Sequence, residues 1–231
     1  MTTMLRALVL VAFLGPAVAE AQKTNLRDAP PIRTPLEWRN DRHQITPLFG
    51  FSLNDVYTRS LSLGLTYRYY PANWVGIGVD VFGTYVVLDS ALTESIKAEL
   101  DATDRGVPST ASPGIIADVA ATFIPLYGKM MWFGKLPVAY DFQIDVGLGM
   151  IRTRTTGELD PQTVFAPMWG IGARLFFNDF IAVELGMKDY IAEFAPVAAP
   201  GDTSGDAAWG QNFMFTFGVS FFLPPTLVRG E

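Results

Sequence analysis

The chain has 231 residues, 49% hydrophobic and 17% charged, with a formal net charge of −6, one histidine and no cysteine. That balance offers no basic stripe for a nucleic-acid partner, and without cysteine there are no disulfides, no thiol chemistry and no lipoprotein acylation site. Mean hydropathy is +0.23, apolar for a soluble domain, yet beyond residue 21 no run approaches the roughly 18 apolar residues of a membrane helix.

Met1 to Ala21 reads as a secretory signal: Arg6, an apolar Ala7–Leu14 core, a Gly15-Pro16 break and Ala19-Glu20-Ala21. Small residues at −3 and −1 predict cleavage before Gln22. The apolar core is too short for a spanning helix. Cleavage removes one Arg and one Glu, so the net charge stays at −6. Residues 22–43 lack periodicity and carry Pro30, Pro31 and Pro35. They read as an extended periplasmic segment, in which Leu36 and Trp38 either dock on a partner or the barrel base or belong to a plain linker.

From His43 onward, side chains alternate with period two, the signature of β-strands. Strand one is His43–Asn54, with Ile45, Pro47, Phe49, Phe51 and Leu53 on one face and Gln44, Thr46, Gly50 and Ser52 on the other. Strands two and three form a hairpin over Arg59–Leu88, turning at Pro71–Asn73. Its apolar parity holds Leu61, Leu63, Leu65, Tyr67 and Tyr69, then Val75, Ile77, Val79, Val81, Tyr85 and Val87. Arg68, Asp80 and Thr84 take the opposite parity among Gly and Ser. These arms exceed the usual strand of about five or six residues. Strand four, Gly114–Met131, has Ile115, Val119, Phe123 and Tyr127 facing out and Asp118, Ala120, Thr122 and Gly128 facing in. Strand five, Val138–Arg152, alternates most sharply, with Val138, Tyr140, Phe142, Ile144, Val146 and Leu148 out and Ala139, Asp141, Gln143, Asp145, Gly147 and Gly149 in. Strands six to eight are Thr163–Phe177, Phe180–Phe194 and Trp209–Leu223. Pro47, Pro125 and Pro167 fall inside strands and mark edges or bulges. Asp189 and Glu193 lie on the apolar parity of strand seven and belong at or above the outer interface, where a charge costs little.

Short turns follow strands two, four and six (Pro71–Asn73, Gly134–Pro137 and Asn178–Asp179), while Ala91–Pro113, Thr155–Gln162 and Ala195–Ala208 are longer and polar. Such sorting belongs to an even-stranded barrel with periplasmic turns and external loops; a soluble sandwich has no reason for it. Only Asp55–Thr58 is short for an external loop. The expected fold is all-β, an eight-stranded antiparallel up-and-down transmembrane β-barrel. Residues 1–21 are its signal peptide, 22–43 a periplasmic segment, 44–223 the barrel and 224–231 a tail.

An eight-stranded barrel is just narrow enough to be filled by side chains. The inward charges by parity are Arg68, Asp80, Asp118, Asp141, Asp145, Arg174, Glu184 and Lys188. A three-residue Asn178–Phe180 loop sets Phe177 against Ile181 and Arg174 opposite Glu184. Away from bulk water such charges survive only when matched and hydrogen-bonded, so a structural lumen network is expected; the alternative is a narrow polar path or a small-ligand site among the excess carboxylates. Catalysis finds little support, because the one histidine, His43, sits away from the outer rim and cannot complete a Ser-His-carboxylate set there. No cofactor is implied, and no His/Cys metal cluster is present. The acidic loops (Glu94, Glu99, Asp101 and Asp104; Asp202 and Asp206) read as solvated, with weak Ca²⁺ binding as the alternative.

The segments His43-Gln-Ile-Thr-Pro-Leu-Phe-Gly-Phe-Ser-Leu-Asn-Asp55, Leu63-Gly-Leu-Thr-Tyr-Arg-Tyr-Tyr-Pro71 and Ile124-Pro-Leu-Tyr-Gly-Lys129 carry a resemblance. The chain resembles, from about residue 38 to 223, the small outer-membrane β-barrel domain family of myxobacteria and related deltaproteobacteria, barrels of the OmpA/OmpX-like type. Thr216-x-Gly218-x-x-Phe221-x-Leu223 also looks like the C-terminal signal read by the barrel-assembly machinery, although it ends in Leu and is followed by Pro224–Glu231. The resemblance implies a bacterial outer-membrane location, with outer-membrane lipid and the assembly machinery as partners. Some similar barrels belong to envelope-spanning complexes, including those of gliding motility. The functional expectation is a non-enzymatic structural or assembly component with envelope protein partners. The alternative is a narrow channel for ions or small solutes.

Overall fold

In a computed structural model, the described residues are 36–37, 39–54, 58–89, 95, 99, 109–132, 136–155, 159–195, 197–198, 203, 206–225 and 228–229. Eight long strands account for most of them: β1 (Arg42–Ser52), β2 (Thr58–Ala72), β3 (Val75–Asp89), β4 (Ser109–Trp132), β5 (Leu136–Thr155), β6 (Thr163–Phe176), β7 (Ile181–Phe194) and β8 (Ala208–Leu223). Each pairs antiparallel with its sequence neighbours, and β1 pairs antiparallel with β8, so the sheet closes on itself as an up-and-down barrel. Closure leaves no free edge along the paired length. Two-residue strands accompany this ring, one pairing onto it and two forming a separate small sheet. Val197–Ala198 pairs with the start of β4, and Leu36–Glu37 pairs with Val228–Arg229, joining the chain that enters the barrel to the chain that leaves it. The expected signal peptide, Trp38, Glu94, Asp101, Asp104 and Asp202 lie outside the described residues.

Alternation places apolar side chains outside. Phe49, Leu63, Leu65, Ile77, Val79, Val119, Val146, Leu148 and Ile171 are all exposed, while Gln44, Thr46, Arg68, Asp80, Thr122 and Gln143 between them are buried. That inversion of an ordinary soluble surface is what a lipid-facing wall requires.

Bulges reverse the expected parity in two places. Opposite β2, Leu61 pairs with Val86 and Ser62 with Thr84, leaving Tyr85 as the extra residue. Beyond it Val87 faces buried Ser60, so Val87 sits on the inner parity and Leu88 takes the outer one, contrary to strict alternation. In β4, Phe123 pairs with Ile144 and Leu126 with Phe142, so Ile124 and Pro125 together oppose Gln143. Pro125 cannot donate to the ladder, and the inserted residue inverts the parity of the strand beyond it. Leu126 therefore points outward at 62% exposure, whereas Tyr127, expected to face lipid, pairs with lumenal Asp141 and lies against Arg39, 5.4 Å from its guanidinium carbon. Gly128, expected to face in, now opposes Tyr140.

The other two prolines act differently. The β1–β8 ladder keeps register across Pro47 but has no pairs between Leu48/Gly218 and Ile45/Phe221. At Pro167 the β6–β7 ladder ends: pairing runs from Phe176/Ala182 to Met168/Tyr190 and stops. Residue 189 also departs from expectation. Asp189 is on the outward parity but only 1% exposed, because its Oδ2 accepts the Trp169 indole N–H at 3.1 Å and Trp169 packs edge-on against Phe213. A carboxylate bonded beneath two aromatic rings avoids the lipid boundary instead of reaching above it. Glu193 is exposed.

Candidate functional site

The inner positions of the strands change character from the turn end to the loop end. In β4 they run Ile124, Thr122, Ala120, Asp118, Ile116; in β6 Phe176, Arg174, Met168, Ala166; in β8 Phe222, Ser220, Thr216, Met214. Apolar residues thus lie at both ends and polar ones in the middle. At the turn end, Tyr70, Ile124, Ala139, Phe176, Ala182 and Phe222 form one buried cluster. At the loop end, Leu48, Phe82, Ile116, Ile151, Met168 and Met214 belong to another. A Cβ on Gly64 would sit 2.3 Å from the Phe82 ring, so the glycine is what lets this ring lie across the barrel.

Between the clusters is a chain of ion pairs. Arg68 reaches Asp145 at 3.1 Å, Glu184 at 3.3 Å and Asp80 at 3.6 Å. Asp145 also accepts from Thr122 at 2.6 Å. Glu184 accepts further bonds from Gln143, Gln44 and Ser220. Lys188 bonds Asp80 and lies 3.8 Å from Asp118, which the Tyr190 hydroxyl also reaches at 2.7 Å. Arg174 lies directly opposite Glu184 in the ladder, as the short loop requires. Its guanidinium nevertheless bonds Asp141 at 2.9 Å, Gln44 at 2.6 Å and the Tyr70 oxygen at 2.5 Å, leaving Glu184 to Arg68. All eight inward charges expected from parity are buried in this one lumen.

Two further cations join them: Arg39, from the segment before β1, where no periodicity points to it, and Arg42, the first residue of β1, which shares the inward parity of Gln44 and Thr46. Arg39 donates from Nη1 to Asp141 at 2.5 Å and from Nε to the Asn73 carbonyl at 2.9 Å. Burial lowers its pKa from the ordinary arginine value, and the Asp141 carboxylate opposes that shift; arginine remains charged. Arg42 donates to the Pro224, Asp179 and Phe222 carbonyls at 2.8–3.1 Å and lies over the Phe222 ring. With them the buried lumen cations are Arg39, Arg42, Arg68, Arg174 and Lys188, and the buried lumen anions are Asp80, Asp118, Asp141, Asp145 and Glu184. Five meet five, so the surplus of carboxylates among the eight parity positions is cancelled.

His43 stands at the turn end with its Nδ1 2.8 Å from the Tyr67 hydroxyl and its ring against Tyr69. Among the described residues no three His, Asp or Glu side chains are grouped as metal ligands. In the C-terminal stretch Thr216 is buried and Phe221 and Leu223 are exposed. A Cβ on Gly218 would meet the Pro47 carbonyl and Leu48 Cδ2 at 2.5 Å. Tyr70 and Tyr190 join the network as hydroxyl partners at the two ends of the polar layer.

No protein-family model and no curated protein matches the sequence. Among solved structures, the chain is similar to the N-terminal β-barrel domain of Pseudomonas aeruginosa OprF, at 9% identity and a TM-score of 0.47 over 80% of this chain and 98% of that one. It is also similar to Ail, the attachment invasion locus protein of Yersinia pestis (11% identity, TM-score 0.41, 80% and 99% covered). A third is Neisserial surface protein A (11%, 0.41, 78% and 95%).

Proposed function

We propose that the chain is a non-enzymatic protein of the bacterial outer membrane, a closed barrel that serves as a structural or assembly component of an envelope complex. The outer-membrane reading rests on the closed ring with its apolar wall, since a spanning sheet must satisfy every backbone group internally. The structural reading rests on the lumen: a charge-balanced ion-pair layer sealed by an apolar cluster at each end. Solutes crossing it would have to displace Phe82 and Phe222 as well as break buried ion pairs, which costs several kcal/mol per charge left unpaired. The eight parity charges, with Arg39 and Arg42, act as internal struts. Partners then meet the barrel from outside, through its loops or through the periplasmic segment that Leu36–Glu37 ties to the tail. Thr216, Gly218, Phe221 and Leu223 serve as the assembly signal.

The channel alternative needs a continuous polar path, and planar-bilayer recording separates the two readings. The structural reading expects no steady conductance; a steady conductance abolished by Asp145→Asn favours transport. Crosslinking in cells tests the partner claim, which fails if no envelope protein is captured reproducibly.

A further inference from the structure

The outward face of β5 runs Phe142, Ile144, Val146, Leu148 and Met150, all exposed and apolar, and then changes abruptly to Arg152 and Arg154, also exposed. On β2 the outward face likewise passes from Leu63 and Leu61 to Arg59. A switch from apolar to cationic within one outward step marks the level where hydrocarbon gives way to headgroups, because a charge is costly at the midplane and nearly free at the interface. The β3–β4 ladder ends here, at Gly83/Ile115. Gly114 is bulged opposite β5, since Pro113 pairs with Thr153 and Ile115 with Arg152. The parting strands leave a cleft of about 370 Å³ lined by Thr84, Gly114, Arg152, Arg154, Thr155 and Pro161.

Neither guanidinium is ion-paired among the described residues, unlike Arg39, Arg68 and Arg174 in the lumen. Two arginines at i and i+2 on one strand face stand about 7 Å apart along the chain, and each offers a planar fork suited to a phosphate oxygen pair. On the opposite wall, the outward residues at this end include exposed Glu193 and Trp209.

We infer that this cleft binds the phosphorylated headgroup of an outer-leaflet glycolipid, with Arg152 and Arg154 holding the phosphate and the adjoining apolar column of Met150, Leu148 and Val146 receiving its acyl chains. The inference rests on the outer-membrane reading above. The full mature chain, folded in phosphatidylcholine vesicles, is tested by native mass spectrometry after titration with bis-phosphorylated lipid A. A gel shift on heating reports separately whether each barrel has folded into the bilayer. Wild type is expected to retain lipid A at least tenfold more tightly than Arg152→Ala/Arg154→Ala, with Gln211→Ala on the far wall behaving as wild type and millimolar inorganic phosphate failing to compete. Equal retention by the folded double-alanine variant overturns the site. Displacement by inorganic phosphate overturns the lipid as its occupant. A chain that never folds into vesicles overturns the outer-membrane reading instead.

Discussion

Among the described residues Asp141 is the one carboxylate ion-paired to two fully buried arginines, and its neutralisation gives the sharpest energetic test of the lumen network. It accepts from Arg39 at 2.5 Å and from Arg174 at 2.9 Å, with side-chain exposures of 1% or less at all three residues. At an effective dielectric of about 20, a charge pair near 4 Å is worth about 4 kcal/mol. Two such attractions are lost in Asp141→Asn, while the mutual repulsion of the cations remains. Relief of the carboxylate's own desolvation and the surviving amide oxygen return part of this, so the net loss should fall at about 3–5 kcal/mol. Reversible urea unfolding in short-chain phosphatidylcholine vesicles, followed by the fluorescence of the five tryptophans, measures it. Asp41→Asn is the control, because among the described side chains Asp41 bonds only the exposed Tyr69 hydroxyl, and should cost under about 1 kcal/mol. Adding Arg39→Met to Asp141→Asn should recover at least about 1 kcal/mol by removing a stranded cation. A loss for Asp141→Asn no larger than that of the control, or no recovery in the double variant, would refute the reasoning.

Three other outcomes are expected from the same geometry. Arg42→Met removes charge-assisted bonds to the Asp179, Phe222 and Pro224 carbonyls, and the same unfolding assay should register a loss of about 2–4 kcal/mol. Tyr190→Phe deletes the hydroxyl bond to Asp118 and should cost about 1–2 kcal/mol without altering the heat-induced gel shift. Gly218→Ala forces a Cβ against Pro47 and Leu48; it should destabilise barrels refolded from urea in the absence of assembly factors by about 1–3 kcal/mol. Unchanged stability of the purified protein, with impaired assembly only in cells, would assign Gly218 to the signal rather than to packing.

Much of the barrel is legible in the sequence because alternation is a property of neighbours. The β5 run from Phe142 to Leu148 and the pairing of Arg174 with Glu184 need only a period of two and one loop length. Alternation cannot report where an extra residue enters. Val87 and Tyr127 therefore depart from their expected faces because of bulges at Tyr85 and at Ile124–Pro125, and only Pro125 leaves a local sign. The partner choices of the lumen are also beyond the reach of a pattern. Ladder position puts Arg174 beside Glu184, but its long side chain extends to Asp141, a decision taken by the three-dimensional field of charges. Arg39 comes from an aperiodic segment, so no periodicity announces that it enters the lumen, whereas Arg42 lies one step before Gln44 on the inward parity of β1 and is missed when the strand is begun at His43. Asp189 resembles an interfacial charge because its acceptance of the Trp169 N–H depends on a cross-strand neighbour.

The central claim is that a neutral ion-pair layer between two apolar clusters closes this barrel. Single-channel recording of the purified mature chain in planar bilayers tests it most directly. The account predicts no steady conductance above the bare membrane; a stable ohmic conductance from the folded wild-type barrel would contradict it.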